Sequence, residues 1–465
     1  ADAAPRPFWS DAGGRPDPVP ALVGAARCDL AVVGAGYTGL WTALLAKEAD
    51  PSSDVVVLEA RQAGWAASGR NGGFCEASLT HGLANGRDRF PAEQGRLEAL
   101  GLDNLQGMAT TLDRYGIDCD WEASGTLDVA TAPWQAAELA GAAALAREVG
   151  HDVELLDAAG VRAQVDSPTY LGGLWTRGRG ALVHPVKLAW GLRAACLALG
   201  VRLHEHTPVV GLHRDGDGRR GGGRGGVRLT TPYGEVLARK AVLGTNAFPS
   251  LLRRARPYVV PVYDYVLATE PLGPERLAGL GWAGRQGISD SGNQFHYYRL
   301  TADDRVIWGG YDAVYHRGNG LRDELDQRPE TFAVLARHFL ATFPQLEGIR
   351  FTHTWGGAID TCSRFCPFWG TALGGRVAYV AGYTGLGVGA SRFGARVALD
   401  LVGGRPSPLT ELEMVRSRPV PFPPEPFRSG VIALTRRSLA RADADGGRRD
   451  LWLRSLDRLG LGYDS

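Results

Sequence analysis

The segment Gly34-Ala35-Gly36-Tyr37-Thr38-Gly39 constrains this chain more than any other. It follows a valine-rich run at 29–33 and opens a helix-compatible stretch at 38–48. A second apolar run, 55–58, then closes on Glu59. Strand, glycine turn, helix and strand within about thirty residues predict a parallel crossover unit of Rossmann type. The chemistry of such a turn is specific. Glycines allow a sharp bend and close backbone approach, the helix N-terminus offers partial positive charge to a pyrophosphate, and Glu59, twenty residues beyond Gly39, accepts from ribose hydroxyls. The same carboxylate repels a 2′-phosphate, so the expected ligand is a dinucleotide without one.

Position has to carry this argument, because the chain holds 64 glycines, and Lys47, Lys187 and Lys240 are the only lysines among 51 basic residues. A lone Gly or Arg is therefore a weak signal. The length of 465 residues with 44% hydrophobic content predicts two or three domains with ample core. A net charge of +1 gives no long-range field toward nucleic acid or an anionic membrane, so neither is expected as a partner. No apolar run reaches about 18 residues and the first twenty residues lack a signal-type apolar core, which predicts no membrane span and a cytoplasmic protein. Six cysteines at 28, 75, 119, 196, 362 and 366 form no CxxC pair. Buried, reduced thiols are expected, and Cys362 with Cys366 lack a second ligand pair, so no metal site is expected.

Along the chain, 92–145 reads as helical with breaks at Gly116 and Pro133, and 185–199 as a further helix. Short strands are expected at 201–203 and 209–212. The stretch 214–226 holds seven glycines and no large apolar residue, and reads as a flexible surface loop. Strand-like runs at 227–230, 236–243, 259–269, 295–300 and 306–309 predict a large mixed or antiparallel sheet beside a substrate chamber. A last buried strand is expected at 377–381, followed by a glycine turn and helix over 382–400. Beyond Gly404 the chain is proline-rich to Pro426, then basic and amphipathic, which predicts a wrapping appendage.

A second loop, Gly64-Trp65-Ala66-Ala67-Ser68-Gly69-Arg70-Asn71-Gly72-Gly73-Phe74, begins five residues beyond Glu59. Its small and polar residues offer backbone donors, with Ser68, Arg70 and Asn71, to a phosphate and a ring system. With these two motifs the chain resembles the FAD-dependent amine and amino-acid oxidoreductases of the D-amino-acid oxidase superfamily, closest to the gamma-glutamylputrescine oxidase branch. The resemblance extends to Gly180-Ala181-Leu182-Val183-His184-Pro185, Leu243-Gly244-Thr245-Asn246-Ala247 and Gly382-Tyr383-Thr384-Gly385-Leu386-Gly387-Val388-Gly389. It implies noncovalent FAD, with the pyrophosphate on Gly34, Gly36, Tyr37, Thr38 and Gly39, and the ribose on Glu59 beside Ala60 and Arg61. It further places the flavin side on Ser68, Gly69, Arg70, Asn71, Gly72, Gly73 and Phe74, and the adenine surroundings at Val209, with Thr245 and Asn246 nearby. The isoalloxazine carbonyl end falls at Thr384, Gly385, Leu386, Gly387 and Val388. The implied fold class is α/β: a discontinuous Rossmann-like FAD domain (1–86, 180–253, 350–404), an α+β substrate domain on a large mixed or antiparallel sheet (87–179, 254–349), and an extension at 405–465.

Departures from the family narrow the substrate. Members acting on simple amino acids often carry an arginine where this chain has Ile359, and sarcosine-oxidase-like members an oxygen-activating lysine where it has Trp308. An α-carboxylate beside the reacting carbon would lose a charge-assisted bond contributing ~1.5–3 kcal/mol. A primary or secondary amine, or an amino-acid derivative with a distant carboxylate, is therefore favoured. The electron acceptor is O₂ or another oxidant. For the chamber, Tyr263 and Tyr265 share one strand face at period two and Asp264 the other, so the tyrosines are candidates to line an aromatic slot. Trp308 and Trp355 are further aromatic candidates, and His81, seven residues beyond Phe74, is a candidate base for a substrate ammonium. The expected reaction is hydride transfer from the carbon bearing a neutral amine to flavin, giving an imine that hydrolyses. The alternatives are a flavoenzyme of alcohols or hydroxy acids and a nicotinamide-dependent dehydrogenase.

Overall fold

The computed structural model describes residues 2–215, 225–404 and 406–462. Its organising element is a parallel sheet whose central strand, Gly24–Val33, is flanked by Gly234–Leu243 and Val55–Leu58. Arg202–His204 continues one edge, and Val377–Ala381 followed by antiparallel Phe368–Ala372 continues the other. All four residues of Val55–Leu58 are buried, as in a parallel strand covered on both faces. The hairpin Gly211–Arg214 with Val227–Thr231 pairs with the first half of Gly234–Leu243. Residues 216–224 of the glycine-rich stretch expected as a loop lie outside the described residues.

Helix Tyr37–Ala49 starts at the end of the central strand, and its first eight residues are all buried. It packs between helices Pro185–Ala198 and Gly387–Gly403, which explains why its sequence is apolar all round rather than along one stripe. Helix Gln94–Tyr115 lies outside them, contributing Leu97, Leu105, Met108 and Leu112 to the same core.

The second sheet is mixed. Its strand order is Val314–Tyr315, Val260–Thr269, Val306–Gly310, His296–Leu300, Gly287–Asp290, Thr126–Ala130, Gly172–Thr176 and Val153–Asp157, and Gly287–Asp290 against Thr126–Ala130 is a parallel pair. Phe351–Thr361 pairs antiparallel with Val260–Thr269 along its whole length, so this segment, expected with the nucleotide-binding domain, belongs to the second sheet; the chain re-enters the first at Phe368. Helix Pro329–Thr342 covers the outer face through Leu335 and Phe339.

Two local expectations are corrected. Pro133 starts helix Pro133–Glu148 rather than breaking one, because the first helical position needs no N–H partner. Strand Thr126–Ala130 lies within the stretch read as wholly helical, where alanine-rich neighbours masked a five-residue run held by its sheet partners. The C-terminal segment folds as helices Phe427–Ala444 and Leu451–Arg458. Among the described residues no helix is long and apolar enough to cross a membrane.

Candidate active site

The first glycine turn is dense enough to exclude side chains. Gly34 has φ +100°, and a Cβ there would lie 2.6 Å from the carbonyl oxygen of Gly244. A Cβ on Gly39 would lie 1.7 Å from the Gly34 carbonyl oxygen. Gly39 thus serves helix–strand packing, while Gly34, Gly36, Tyr37 and Thr38 line a cavity of about 1,480 Å³. Glu59, 5% exposed, ends the second strand of the unit at the cavity wall, beside Ala60, Arg61 and Val209. Its carboxylate accepts from the amide of Ala35 at 2.7 Å and from the Arg61 amide and Trp65 Nε1, each at 2.9 Å. Burial pushes its pKa up, opposed by these three donors. A carboxylate has about four lone-pair sites, so room for roughly one ribose hydroxyl remains, fewer than the two expected.

The loop 64–74 is held by its own side chains and by two tryptophans. Asn71 accepts from the Gly73 amide at 2.8 Å and donates to the carbonyls of Ala67 and Ser68. Ser68 Oγ accepts from the Tyr37 amide at 3.0 Å, which ties this loop to the start of the first helix and leaves the hydroxyl proton for another acceptor. Trp9 Nε1 donates to the Asn71 carbonyl and Trp355 Nε1 to the Arg70 carbonyl, both at 2.8 Å. Arg70, expected among phosphate and ring contacts, pairs with Asp326 and donates to the carbonyls of Gly356 and Trp65, so its guanidinium joins the loop to the second sheet. Gly69 and Gly73 are packing positions: a Cβ on either would lie 2.2 Å from a backbone oxygen, of Gly64 and Val183 respectively. Gly72 and Phe74 line the cavity.

A second glycine turn, with Gly382, Thr384 and Gly385 all at positive φ, lines the same cavity. Thr384, Gly385, Leu386, Gly387 and Val388 line the cavity, as do Thr245 and Asn246. Asp360 accepts from the Gly382 amide at 2.6 Å, and burial pushes its carboxyl up to about 7. Thr38 of the first turn donates through Oγ1 to the Tyr383 hydroxyl of the second at 2.9 Å. The two turns are therefore one hydrogen-bonded unit.

His81 lines the same cavity, and a Cβ built on Gly385 would lie 4.0 Å from its Nε2. Burial lowers its pKa, which favours the neutral imidazole. The other three catalytic candidates are displaced. On strand Val260–Thr269 the positions facing the cavity are Val260, Val262, Asp264 and Val266; Tyr265 points into the outer core, where its hydroxyl donates to the Leu325 carbonyl at 2.8 Å. Tyr263 packs against it and also lines the cavity. Trp308 stacks on Tyr298, ring centres 4.4 Å apart, in that core. Trp355, fully buried, fastens the Arg70 carbonyl instead of forming a chamber wall.

In their place the chamber presents acids. Asp264, pushed up to about 6 by burial, accepts from the Tyr297 hydroxyl and from the amides of Tyr265 and Gly310. Glu76 is pushed up to about 7 by burial, with the charge of Asp128 adding to the effect; Asp128 is itself raised by burial and accepts from the Ser289 hydroxyl. An acid inside an otherwise apolar run, Phe74-Cys75-Glu76 and Leu127-Asp128-Val129, was the available signal for both. None of the three lysines lines the cavity: Lys47 caps local carbonyls, Lys187 pairs with Asp120 and Lys240 reaches Gly403.

A glycine turn at a strand end, a carboxylate closing the next strand and a second sheet across a shared cavity define a dinucleotide-binding enzyme of the α/β class. The chain belongs to the DAO family of FAD-dependent oxidoreductases, whose model matches residues 29–401. It is 33% identical over 402 residues to gamma-glutamylputrescine oxidoreductase of Escherichia coli, covering 85% of this chain and 88% of that protein. In fold it is similar to glycine oxidases from Bacillus cereus (TM-score 0.67, 18% identity) and Geobacillus kaustophilus (TM-score 0.68, 20% identity), in each case over 84% of this chain and 99% of the other. The cradle fits FAD: two glycine turns, hydrogen-bonded to each other, line one cavity together with Glu59.

Proposed function

We propose that this FAD-dependent oxidoreductase oxidises a C–N bond of a primary or secondary amine or an amino-acid derivative. The observation that carries the reading is the chamber's charge. Glu76, Asp128 and Asp264 line it, and Ile359 lines it where the family resemblance implies an arginine in members acting on simple amino acids. Acids at these positions attract an ammonium.

Bound FAD would be held by the two glycine turns, Glu59 and the 64–74 loop, and supplies a two-electron acceptor for hydride from the carbon bearing nitrogen. The chain's own part is preparation. The carboxylates orient the ammonium, neutral His81 accepts its proton, and the enclosing walls keep water from the reacting carbon. The imine product hydrolyses to a carbonyl compound and ammonia or an amine. Attachment of FAD is noncovalent, since Cys362 is buried with its thiol on the carbonyls of Cys366 and Gly382. Six buried, unpaired cysteines accord with a reducing, cytoplasmic setting. We assign residues 87–179 and 254–361 to substrate binding and the remainder up to 404 to FAD, a boundary drawn from strand membership. The acceptor is O₂ or another oxidant.

Anaerobic titration tests the reading. Amines should bleach the flavin absorbance and alcohols or hydroxy acids should leave it unchanged; the opposite pattern overturns it.

A further inference from the structure

The cavity has a third wall, built beyond the segment that the family model matches. The family model ends at residue 401, and glycine oxidases that are matched over 99% of their own length still leave part of this chain uncovered. Val431, Ile432, Leu439 and Leu453, all beyond that limit, line the same cavity as Glu76 and Asp128.

This wall is fastened down. The Asp443 carboxylate accepts from the Asn293 amide at 2.9 Å, the Asn293 side chain at 2.7 Å and the Gln294 amide at 3.0 Å. Arg436 pairs with Asp312 at 3.0 Å, and Arg89 donates to the carbonyls of Gly460 and Gly462. Asn293, Gln294 and Asp312 sit on the loops that follow two of the chamber strands, and Arg89 ends helix Leu83–Arg89. Opposite the tail, helix Pro133–Glu148 contributes Trp134 and Leu139 to the lining, and Gly447 packs so closely that a Cβ there would lie 2.9 Å from the Trp134 ring.

Two chemistries therefore share one cavity. Toward the two-stranded sheet of Phe74–Glu76 and Gly180–Leu182 are acids, Glu76 with Asp128. Under the tail Val431, Ile432, Leu439 and Leu453 face Trp134 and Leu139 in a mainly aliphatic and aromatic lining, with Thr435, Arg436 and Arg449 among its polar members. A small amine would satisfy the first and leave the second bare.

Resting on the amine reading above, we propose that the C-terminal segment is a specificity wall that makes the substrate an elongated amine: its ammonium lies between Glu76 and Asp128, and its apolar body extends beneath Ile432, Leu439 and Leu453. Burial of apolar chain then sets affinity, at about fourfold per methylene, the equivalent of ~0.8 kcal/mol.

The test is anaerobic flavin bleaching by n-alkylamines from propylamine to octylamine, with the wild-type holoenzyme, Leu439→Trp and Leu439→Ala. In the wild type the dissociation constant should fall with chain length. Both variants should weaken octylamine at least tenfold while changing propylamine less than twofold, with the flavin spectrum unaltered. Should Leu439→Trp fail to fold, the alanine variant alone decides. An unchanged octylamine-to-propylamine ratio overturns the specificity wall and leaves amine oxidation standing. Absence of bleaching by every amine overturns both.

Discussion

Trp355 donates its indole N–H to the backbone carbonyl of Arg70 at 2.8 Å, so a fully buried residue of the second sheet holds in place a loop that walls the FAD cavity. Trp355→Phe keeps most of the volume and strands that carbonyl. The expected loss is about 1–3 kcal/mol of stability. Because the loop is what loosens, flavin should be released at lower urea than in the wild type. Following flavin and tryptophan fluorescence through the same titration checks this; coincident, unshifted curves would show that the bond does not hold the loop.

Gly39 and Gly36 should respond oppositely to alanine. At Gly39 the new Cβ meets a backbone oxygen at 1.7 Å, which no rotamer can relieve. Gly39→Ala is expected to purify without flavin. At Gly36 the nearest atom is Ser68 Oγ at 3.0 Å, the end of a rotatable side chain, so Gly36→Ala should retain FAD with affinity lowered by no more than about tenfold. The ratio of flavin to protein absorbance after gel filtration reads both.

The contrast between these glycines and the misplaced aromatic residues shows where the sequence is legible. Gly34, Gly39 and Glu59 act within one strand–turn–helix–strand unit, so spacing alone locates them. Tyr265 was assigned to the right strand and the wrong face: alternation establishes that Tyr263 and Tyr265 share a side, but only the packing of helix Pro329–Thr342 decides which side is core. Trp308 and Trp355 are long-range cases of the same problem. Glu76 and Asp128 come from different sheets and meet only in space, and the tail's role depends on docking to loops more than a hundred residues away.

Glu76 should impart a pH dependence to amine binding. Its carboxyl, pushed up to about 7, is neutral below that pH and anionic above it, whereas an alkylammonium remains charged throughout. Affinity for the ammonium is therefore expected to rise as pH passes from 6 to 8 and to level off above. Glu76→Gln should bind more weakly at pH 8, by about tenfold or more, and show no inflection near 7. Dissociation constants from anaerobic bleaching at several pH values provide the check, and a wild-type inflection surviving in Glu76→Gln would assign it to another group.

Asp360 governs stability in a neighbouring pH window. Its carboxyl, 2% exposed, is raised from the ordinary 3.8 to about 7, so the folded protein holds a proton that the unfolded chain releases. That contribution is complete below about pH 4 and is lost as pH rises toward 7. Asp360→Asn keeps an oxygen for the Gly382 amide and cannot ionise. It should match the wild type near pH 4 and exceed it at pH 8, by an upper bound on the order of 4 kcal/mol from three pH units at 1.36 kcal/mol each. Urea unfolding of the holoenzyme at the two pH values measures the difference. A variant weaker than the wild type at pH 8 would mean that the charged carboxylate is what the second glycine turn requires, with its amides outweighing the cost of burial.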